Sequence, residues 1–456
     1  MDAHKKFTQD AGKIAFNRKH RQTIKFNISR YDGAVSKGRA RYADLQLARE
    51  RAAYLKRKML ANWDEYLKMF EQKATENGIT VLWAKDNYEA IEYVSEILRE
   101  NKAKLLVKSK SMTTEEIELN PAAQACGCES VETDLGEFIV QLADERPYHI
   151  VTPAMHKSRA DIGKLFHEKF GISEDTSAQE MSVYVRGLLR KKYTSADIGV
   201  TGANFIIADI GGVAVTENEG NGVMSTSFPK VHIAIAGIEK MIPSMEYLGT
   251  FWPLLACMGT GQQITAYNTI FTGPRKGNEI DGPEKMYVIL LDNKRTELYA
   301  DNDCYESLSC MRCGACLNAC PVYKTIGGYT YNATYSGPIG SVITPFYKGF
   351  REFGHLSSAC SLCGACAAVC PVKIPLNNLM LENRRKSVEK GLRPAAEKMA
   401  VKGFGKIAAS RMMFDTPHLL KNMAFVPFNY TLWGPHRNMP KFQKSFKQQW
   451  QKRNKK

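Results

Sequence analysis

CMRCGACLNACPVY (310–323) and CSLCGACAAVCPVKIP (360–375) are two copies of one pattern, C-x2-C-x2-C-x3-C-P. That spacing wraps three thiolates around three corners of a 4Fe-4S cube, while in two-cluster proteins the fourth cysteine reaches the other cube. Crossed ligation assigns Cys310, Cys313, Cys316 and Cys370 to one cluster and Cys360, Cys363, Cys366 and Cys320 to the other, so two 4Fe-4S clusters are expected. Small residues at Gly314, Ala315, Gly364 and Ala365 allow backbone to approach the sulfurs, and Pro321 and Pro371 end each turn. Zinc favours two pairs of ligands and would leave each four-cysteine run over-supplied. Disulfides conflict with a reducing compartment. Cys126, Cys128, Cys257 and Cys304 read as structural or surface thiols.

The 39 residues between Cys320 and Cys360 exceed what a compact βαββαβ ferredoxin needs, which favours an α-helical ferredoxin module. Upstream, from Ile79 to about Asn293, short apolar runs alternate with helical stretches. ITVLWA (79–84), KLLVKS (104–109), HIVTP (149–153), NFIIAD (204–209), GVAVTE (212–217), VHIAIAG (231–237), NTIFTG (268–273) and MYVILLD (286–292) read as strands. NYEAIEYVSEILREN and SAQEMSVYVRGLLRKKY read as helices, and together they predict an α/β domain with a mostly parallel buried sheet. There is no GxGxxG fingerprint and no P-loop, which argues against a nicotinamide site or an NTPase. Polar loops at strand ends are the places where open α/β sheets bind ligands. In KSKSMTTEEIELN (108–120), Ser111 or Thr113 is placed to cap a helix, and Lys108 with Lys110 to hold an anion there. A second loop, TENEGNG (216–222), gathers carboxylates, amides and glycines in one turn.

Of the 456 residues, 44% are hydrophobic and 24% charged, and the formal net charge is +16. Residues 1–60 carry 16 Lys and Arg against 5 Asp and Glu, and residues 384–456 carry 18 against 3, leaving 29 against 39 for the body between them. An acidic body thus lies between basic ends, which read as solvated helices or as docking elements for partner subunits or a membrane face. LQLARERAAYLKRKMLANWDEYLKMFEQKATE (45–76) has the spacing of an amphipathic helix. The basic stretch before it reads equally as an ordered arm or a flexible lead-in. Near the other end, Phe442, Phe446 and Trp450 fall at i, i+4 and i+8 among lysines. No RNA or DNA module accompanies the basic ends, so no nucleic-acid partner is expected. The opening MDAHKKFTQD lacks the apolar stretch of a secretory signal, and no run of about 18 apolar residues occurs. The expectation is a cytoplasmic protein, with peripheral contact to the inner face of the membrane as an open reading.

KSKSMTTEEIELN, GVTGANFIIADIGGVAVTENEGNGVMSTSFPKVHIAIAGIEK, GPRKGNEIDGPEKMYVILLDN and the twin cysteine motifs together resemble the lactate utilization protein B family over about residues 15–400. The resemblance implies an LUD domain, similar in fold to ribose-5-phosphate isomerase and CoA-transferase proteins, followed by an α-helical two-cluster ferredoxin. The expected layout is a basic N-terminal helical arm (1–64), the LUD domain (65–300), the ferredoxin (301–385) and a basic C-terminal tail (386–456). The family likeness further implies an iron-sulfur electron-transfer subunit of a cytoplasmic complex that oxidises L-lactate to pyruvate. Its partners would be lactate utilization proteins A and C, a CCG-domain protein and a smaller LUD protein. An iron-sulfur subunit of a glycolate-type or heterodisulfide-type oxidoreductase is the alternative, although those lack the LUD domain. The turn containing Glu217 resembles the one that supplies the nucleophile of CoA-transferases, and here reads as a ligand-contact loop. Lys108, Thr201, Asn204, Glu217, Asn218, Glu219 and Asn221 are the polar candidates for contact with L-lactate or pyruvate. No catalytic residue is assigned.

Overall fold

The apolar runs of the middle segment become strands β1 (Thr80–Ala84), β2 (Leu105–Lys108), β3 (Glu129–Glu132), β4 (Ile198–Thr201), β5 (Phe205–Ile207), β6 (Gly212–Glu217), β7 (Val231–Gly237), β8 (Met241–Ile242), β9 (Tyr267–Phe271) and β10 (Lys285–Leu291). Six of them form a sheet in the order β1-β10-β7-β4-β2-β3, paired in parallel throughout. All seven residues of β7 are buried, because alternate side chains feed two cores. Ile233, Ile235, Ile289 and Leu291 meet Ala90, Val94, Ile97 and Leu98 of the helix Asn87–Glu100. Ala234, Ala236, Val288 and Leu290 belong instead to the core shared with Leu55, Met59, Trp63, Cys313 and Cys316. Each fully buried Ile or Leu contributes roughly 1.5–3 kcal/mol, which is why both strands stay extended despite the helix-favouring alanines of β7. A second sheet, β8-β5-β6-β9, pairs β6 antiparallel with β5 and β9 and carries the TENEGNG turn at the end of β6.

This computed structural model describes residues 3–414, 416–428 and 441–454, which divide into the units Met1–Ser387 and Val388–Lys456. In the first unit the basic N-terminal stretch is ordered. Helices Ala3–Ala15, Arg18–Arg39, Leu45–Ala61 and Trp63–Glu76 are present, and the expected single helix over 45–76 breaks at Asn62 (φ −129°). Gly38 and Gly261 let backbones touch: a Cβ at Gly38 would lie 2.7 Å from the Gly261 carbonyl oxygen. Arg49 donates to the Cys370 carbonyl at 2.9 Å, and buried Lys56 donates to the Glu239 carbonyl at 2.7 Å. The apolar side of this arm therefore lines the protein's own core and is not free for an external partner.

Four strand expectations change, since β4 and the two-residue β8 are not read as strands from the sequence. HIVTP (149–153) is not a strand: the His149 ring accepts N–H donors from Val151 (3.1 Å) and Thr152 (3.2 Å), curling the chain into a turn. Strand β3 is absent from the reading because Glu129 and Glu132 mask it; Glu132 is buried and pairs with Lys108 at 2.6 Å. From Ala300 to Ser387 the described residues are helical or irregular, including Gly337–Lys348 and Leu376–Glu389, so the ferredoxin module is α-helical.

In the second unit, helices Ala395–Ala409 and His418–Phe428 expose Met399, Phe404, Ile407, Leu419 and Met423. The expected three-aromatic face shortens, because Ser445 caps the helix Phe446–Arg453 and leaves Phe442 outside it. Phe446 and Trp450 stack at 5.8 Å. Pro435 and Pro440 of this tail lie outside the described residues. No helix among the described residues is long and apolar enough to cross a membrane.

A buried ion network joins the α/β domain to the ferredoxin. Arg295, with a side chain 0% exposed, donates from Nη1 and Nη2 to the two Glu116 oxygens (2.9 and 2.8 Å) and from Nε to Glu239 Oε2 (2.5 Å). Tyr335 donates its hydroxyl to Glu116 Oε2 at 2.6 Å, and Arg312 donates to Glu239 Oε1 at 3.2 Å. Burial alone would raise the Glu239 carboxyl; Arg295 and Arg312 outweigh it and hold the group down at about 2.

Arg295→Met strands two buried carboxylates and is expected to destabilise the protein by about 3–5 kcal/mol, read as a lower thermal-unfolding midpoint under anaerobic conditions. An unchanged midpoint would show that the network is not what joins the domains. The depressed Glu239 carboxyl contributes stability that is present above its unfolded value of roughly 4.3 and lost as pH falls toward 2. The parent protein should therefore lose more stability between pH 5 and 2 than Glu239→Gln, and equal losses would refute that reading.

Candidate functional site

The two cysteine motifs adopt the same local conformation. Arg312 (φ +59°) and Leu362 (φ +56°) are left-handed, as are Gly314 and Gly364 two residues on, and each loop runs into a short helix, Ala315–Ala319 or Ala365–Val369. The strain of a left-handed non-glycine residue is offset by aiming its amide at sulfur: Arg312 N–H points to Cys310 Sγ (3.4 Å) and Leu362 N–H to Cys360 Sγ (3.3 Å). Tyr323 N–H does the same for Cys320 Sγ at 3.4 Å, and Ile374 N–H for Cys370 Sγ at 3.3 Å. At Gly314 a Cβ would meet Val151 Cγ2 at 2.8 Å, so the curled 149–153 segment closes over the first motif.

Cys370 lies within electrostatic reach of Cys310, Cys313 and Cys316, and Cys320 within reach of Cys360, Cys363 and Cys366. All twelve cysteines are free thiols. A single tetrahedral zinc with Zn–S bonds near 2.3 Å draws its sulfurs to roughly 3.8 Å from one another. Among the described residues no three thiols gather even within 4.8 Å, so these sets are too open for one ion and suit a larger cluster with sulfur-directed amides. Their settings differ. In the first set Cys313, Cys316 and Cys370 are buried and Cys310 half-buried; in the second Cys366 is buried, Cys360 and Cys320 are half-buried and Cys363 is exposed. Cys126, Cys128, Cys257 and Cys304 stand elsewhere; Cys304, fully buried, donates to Asn383 Oδ1 at 3.5 Å.

A cavity of about 400 Å³ opens beside the interior thiol set, and Cys313 forms part of its wall. Five of the seven expected polar residues line it: Asn204, Glu217, Asn218, Glu219 and Asn221. Most of their polar atoms already serve the fold. Glu217 accepts N–H donors from Gly222 (2.6 Å) and Val223 (3.0 Å), so it caps the helix Asn221–Ser227. Asn204 Oδ1 accepts from Thr216 N–H at 2.9 Å, and the Asn218 amide exchanges hydrogen bonds with Gln262 at 3.0 and 2.8 Å. Glu219 accepts from Leu135 N–H at 3.0 Å; its partly enclosed setting and the neighbouring Asp134 push its carboxyl up to about 7.

Lys108 and Thr201 are not on this wall. The Lys108 ammonium is buried between Glu115 (2.8 Å) and Glu132 (2.6 Å) and donates to Thr114 at 3.0 Å, leaving no donor for an anion. Thr201, 0% exposed, pairs with the His232 ring at 2.8 Å. Lys110 gives its ammonium to the Val151 carbonyl, and Ser111 caps the helix Met112–Glu116 as expected. What the sequence reading missed on this wall are Lys240 and Arg312. The only local signals were a charged pair in the apolar run IAGIEKMIP and an arginine inside a cysteine motif.

Residues 67–291 match the LUD domain and residues 306–374 the 4Fe-4S dicluster domain. These matches and the thiol geometry define the class: an LUD-domain iron-sulfur protein carrying two 4Fe-4S clusters, with a role in electron transfer. The lactate utilization protein B of Bacillus cytotoxicus is 40% identical over 381 residues, 83% of this chain and 80% of that protein. That of Geobacillus thermodenitrificans is 42% identical over 382 residues, again 83% and 80%. An uncharacterized electron transport protein, YkgF, of Escherichia coli is 43% identical over 356 residues, 78% of this chain and 75% of that protein. The chain belongs to the lactate utilization protein B family. A solved structure of a duf162 family protein from Deinococcus radiodurans aligns with 50% of this chain and 98% of its own at 13% identity and a TM-score of 0.28, too distant to inform the site.

If Glu217 is a helix cap, Glu217→Ala should lower stability by about 1–2 kcal/mol and Glu217→Gln by less, with iron content unchanged. A Glu217→Ala protein of parental stability would return this residue to the list of ligand contacts.

Proposed function

We propose that this chain is the electron-transfer subunit of a cytoplasmic complex oxidising L-lactate to pyruvate, working with lactate utilization proteins A and C. In this reading Cys310, Cys313, Cys316 and Cys370 hold one cluster and Cys360, Cys363, Cys366 and Cys320 the other. A pair of 4Fe-4S clusters supplies two one-electron stations, enough for the two electrons released when a 2-hydroxy acid becomes a 2-oxo acid. The chain's own residues set what each station meets. The observation that carries the reading is the unequal setting of the two thiol sets: one is interior and borders the LUD cavity through Cys313, while the other reaches the surface at Cys363. An interior station suits electron entry from a bound small molecule, and a surface station suits exchange with a partner protein. Amides aimed at Cys310, Cys320, Cys360 and Cys370 stabilise negative charge on sulfur and so favour the reduced state.

Anaerobically purified protein is expected to hold about eight irons per chain. Cys313→Ala and Cys363→Ala should each lower that content toward about four. Content near zero after anaerobic reconstitution would sink the reading. For the complex, L-lactate should produce the EPR signal of reduced clusters only when the two partners are present. A co-purified, fully loaded complex that stays oxidised with L-lactate would exclude lactate as the donor.

A further inference from the structure

Most buried charge in the first unit is closed on itself. Arg295 spends its donors on Glu116 and Glu239, and Lys108 spends its own on Glu115, Glu132 and Thr114. Two cations on the cavity wall are not closed in this way. The Arg312 side chain is 7% exposed and donates one bond, to Glu239; its Nε and Nη1 are buried without a partner. Its guanidinium stacks over the Tyr335 ring at 4.5 Å, which fixes the plane of the fork. Lys240, 7% exposed on the same wall, makes no hydrogen bond and has no carboxylate within 4.0 Å among the described residues. A buried cation without a hydrogen-bonding counter-charge is destabilising, so a bound anion on this wall would be favoured.

We propose that the cavity is a binding site for a small monocarboxylate carrying a hydroxyl or keto group, whose carboxylate is held by Lys240, within the positive field of Arg312, beside Cys313. The Lys240 ammonium offers a carboxylate a point charge, and the Arg312 guanidinium, held over the Tyr335 ring, adds a second positive charge beside it. The wall also carries three carboxylates, Asp134, Glu217 and Glu219, against the one further cation Lys110. The acidic groups repel a second carboxylate and accept a hydrogen bond from a hydroxyl. Val215, Leu255 and Ala256 provide apolar surface for a short alkyl group. The choice of 2-hydroxy and 2-oxo acids within this class rests on the functional reading above. The competing explanation is that Lys240 and Arg312 only balance the charge of the neighbouring thiolates, since Cys310 acts on both.

The test uses the full, cluster-loaded chain under anaerobic conditions, with pyruvate, L-lactate, malonate and inorganic phosphate as probes in calorimetric titrations. Saturable binding of pyruvate or L-lactate is expected, weakened at least tenfold in Lys240→Met and recovered in Lys240→Arg, with malonate and phosphate binding at least tenfold more weakly. Glu219→Gln should narrow the gap for malonate while leaving iron content unchanged. The EPR signal of the dithionite-reduced protein should shift on adding pyruvate in the parent and not in Lys240→Met. The proposal is overturned by equal affinity in Lys240→Met, by phosphate or malonate binding as tightly as pyruvate, or by no saturable binding alongside a changed cluster midpoint potential in Lys240→Met. That last result would leave the two cations as charge balance. Pyruvate binding by a chain whose complex is not reduced by L-lactate would remove the functional reading and keep the site. Lactate-driven reduction in a complex where Lys240→Met has no effect on half-saturation would do the reverse.

Discussion

Arg295 sits without solvent between Glu116 and Glu239, and much of the arrangement around the interior thiol set follows from that contact. Glu116 ends the short helix after β2, Glu239 follows β7, and Arg295 follows β10, so three crossovers of the parallel sheet are tied at one point. The same carboxylates reach into the ferredoxin, through Tyr335 on Glu116 and Arg312 on Glu239. A bidentate guanidinium tolerates little displacement, so the cysteine loop carrying Arg312 is held in register with the sheet. Replacing such a network with apolar side chains is often harmless to stability, which makes its value here positional.

That positioning produces an asymmetric pair of thiol sets from a symmetric repeat. The two motifs share spacing, left-handed residues and amide-to-sulfur contacts, yet one is walled by the curled 149–153 segment, the N-terminal helices and the sheet, and the other reaches the surface. The dielectric around a cluster and the charges near it set its potential, so neighbours from distant parts of the chain give equal ligand sets unequal surroundings. The basic N-terminal helices take part directly: Lys56 and Arg49, two of the charges behind the excess of 16 over 5, are spent on internal carbonyls.

Much of this was legible in the residues. Cysteine spacing states ligand chemistry locally, since three thiolates with two residues between each pair wrap a cube in almost any fold. The apolar runs of β7 and β10 declare strands buried on both faces, because no solvent-facing position interrupts them. The reading failed where a side-chain contact, and not the pattern along the backbone, decides. HIVTP has a strand's composition, but the His149 ring captures its amides. Glu132 looks like a surface residue until Lys108 is seen beside it, and Glu217, which lines the cavity, also accepts the amides of Gly222 and Val223.

The sequence by itself determined the class of fold, the two-cluster chemistry and the family, since each rests on short-range spacing or on patterns along single elements. Only the tertiary structure decided which polar groups remain available. Lys108 and Lys240 are both lysines at strand ends of the same domain; one meets Glu115 and Glu132, and the other meets no carboxylate among the described residues and borders a cavity. Whether a buried charge is spent or free depends on partners brought together by crossovers and domain packing, and that information does not exist until the chain has folded.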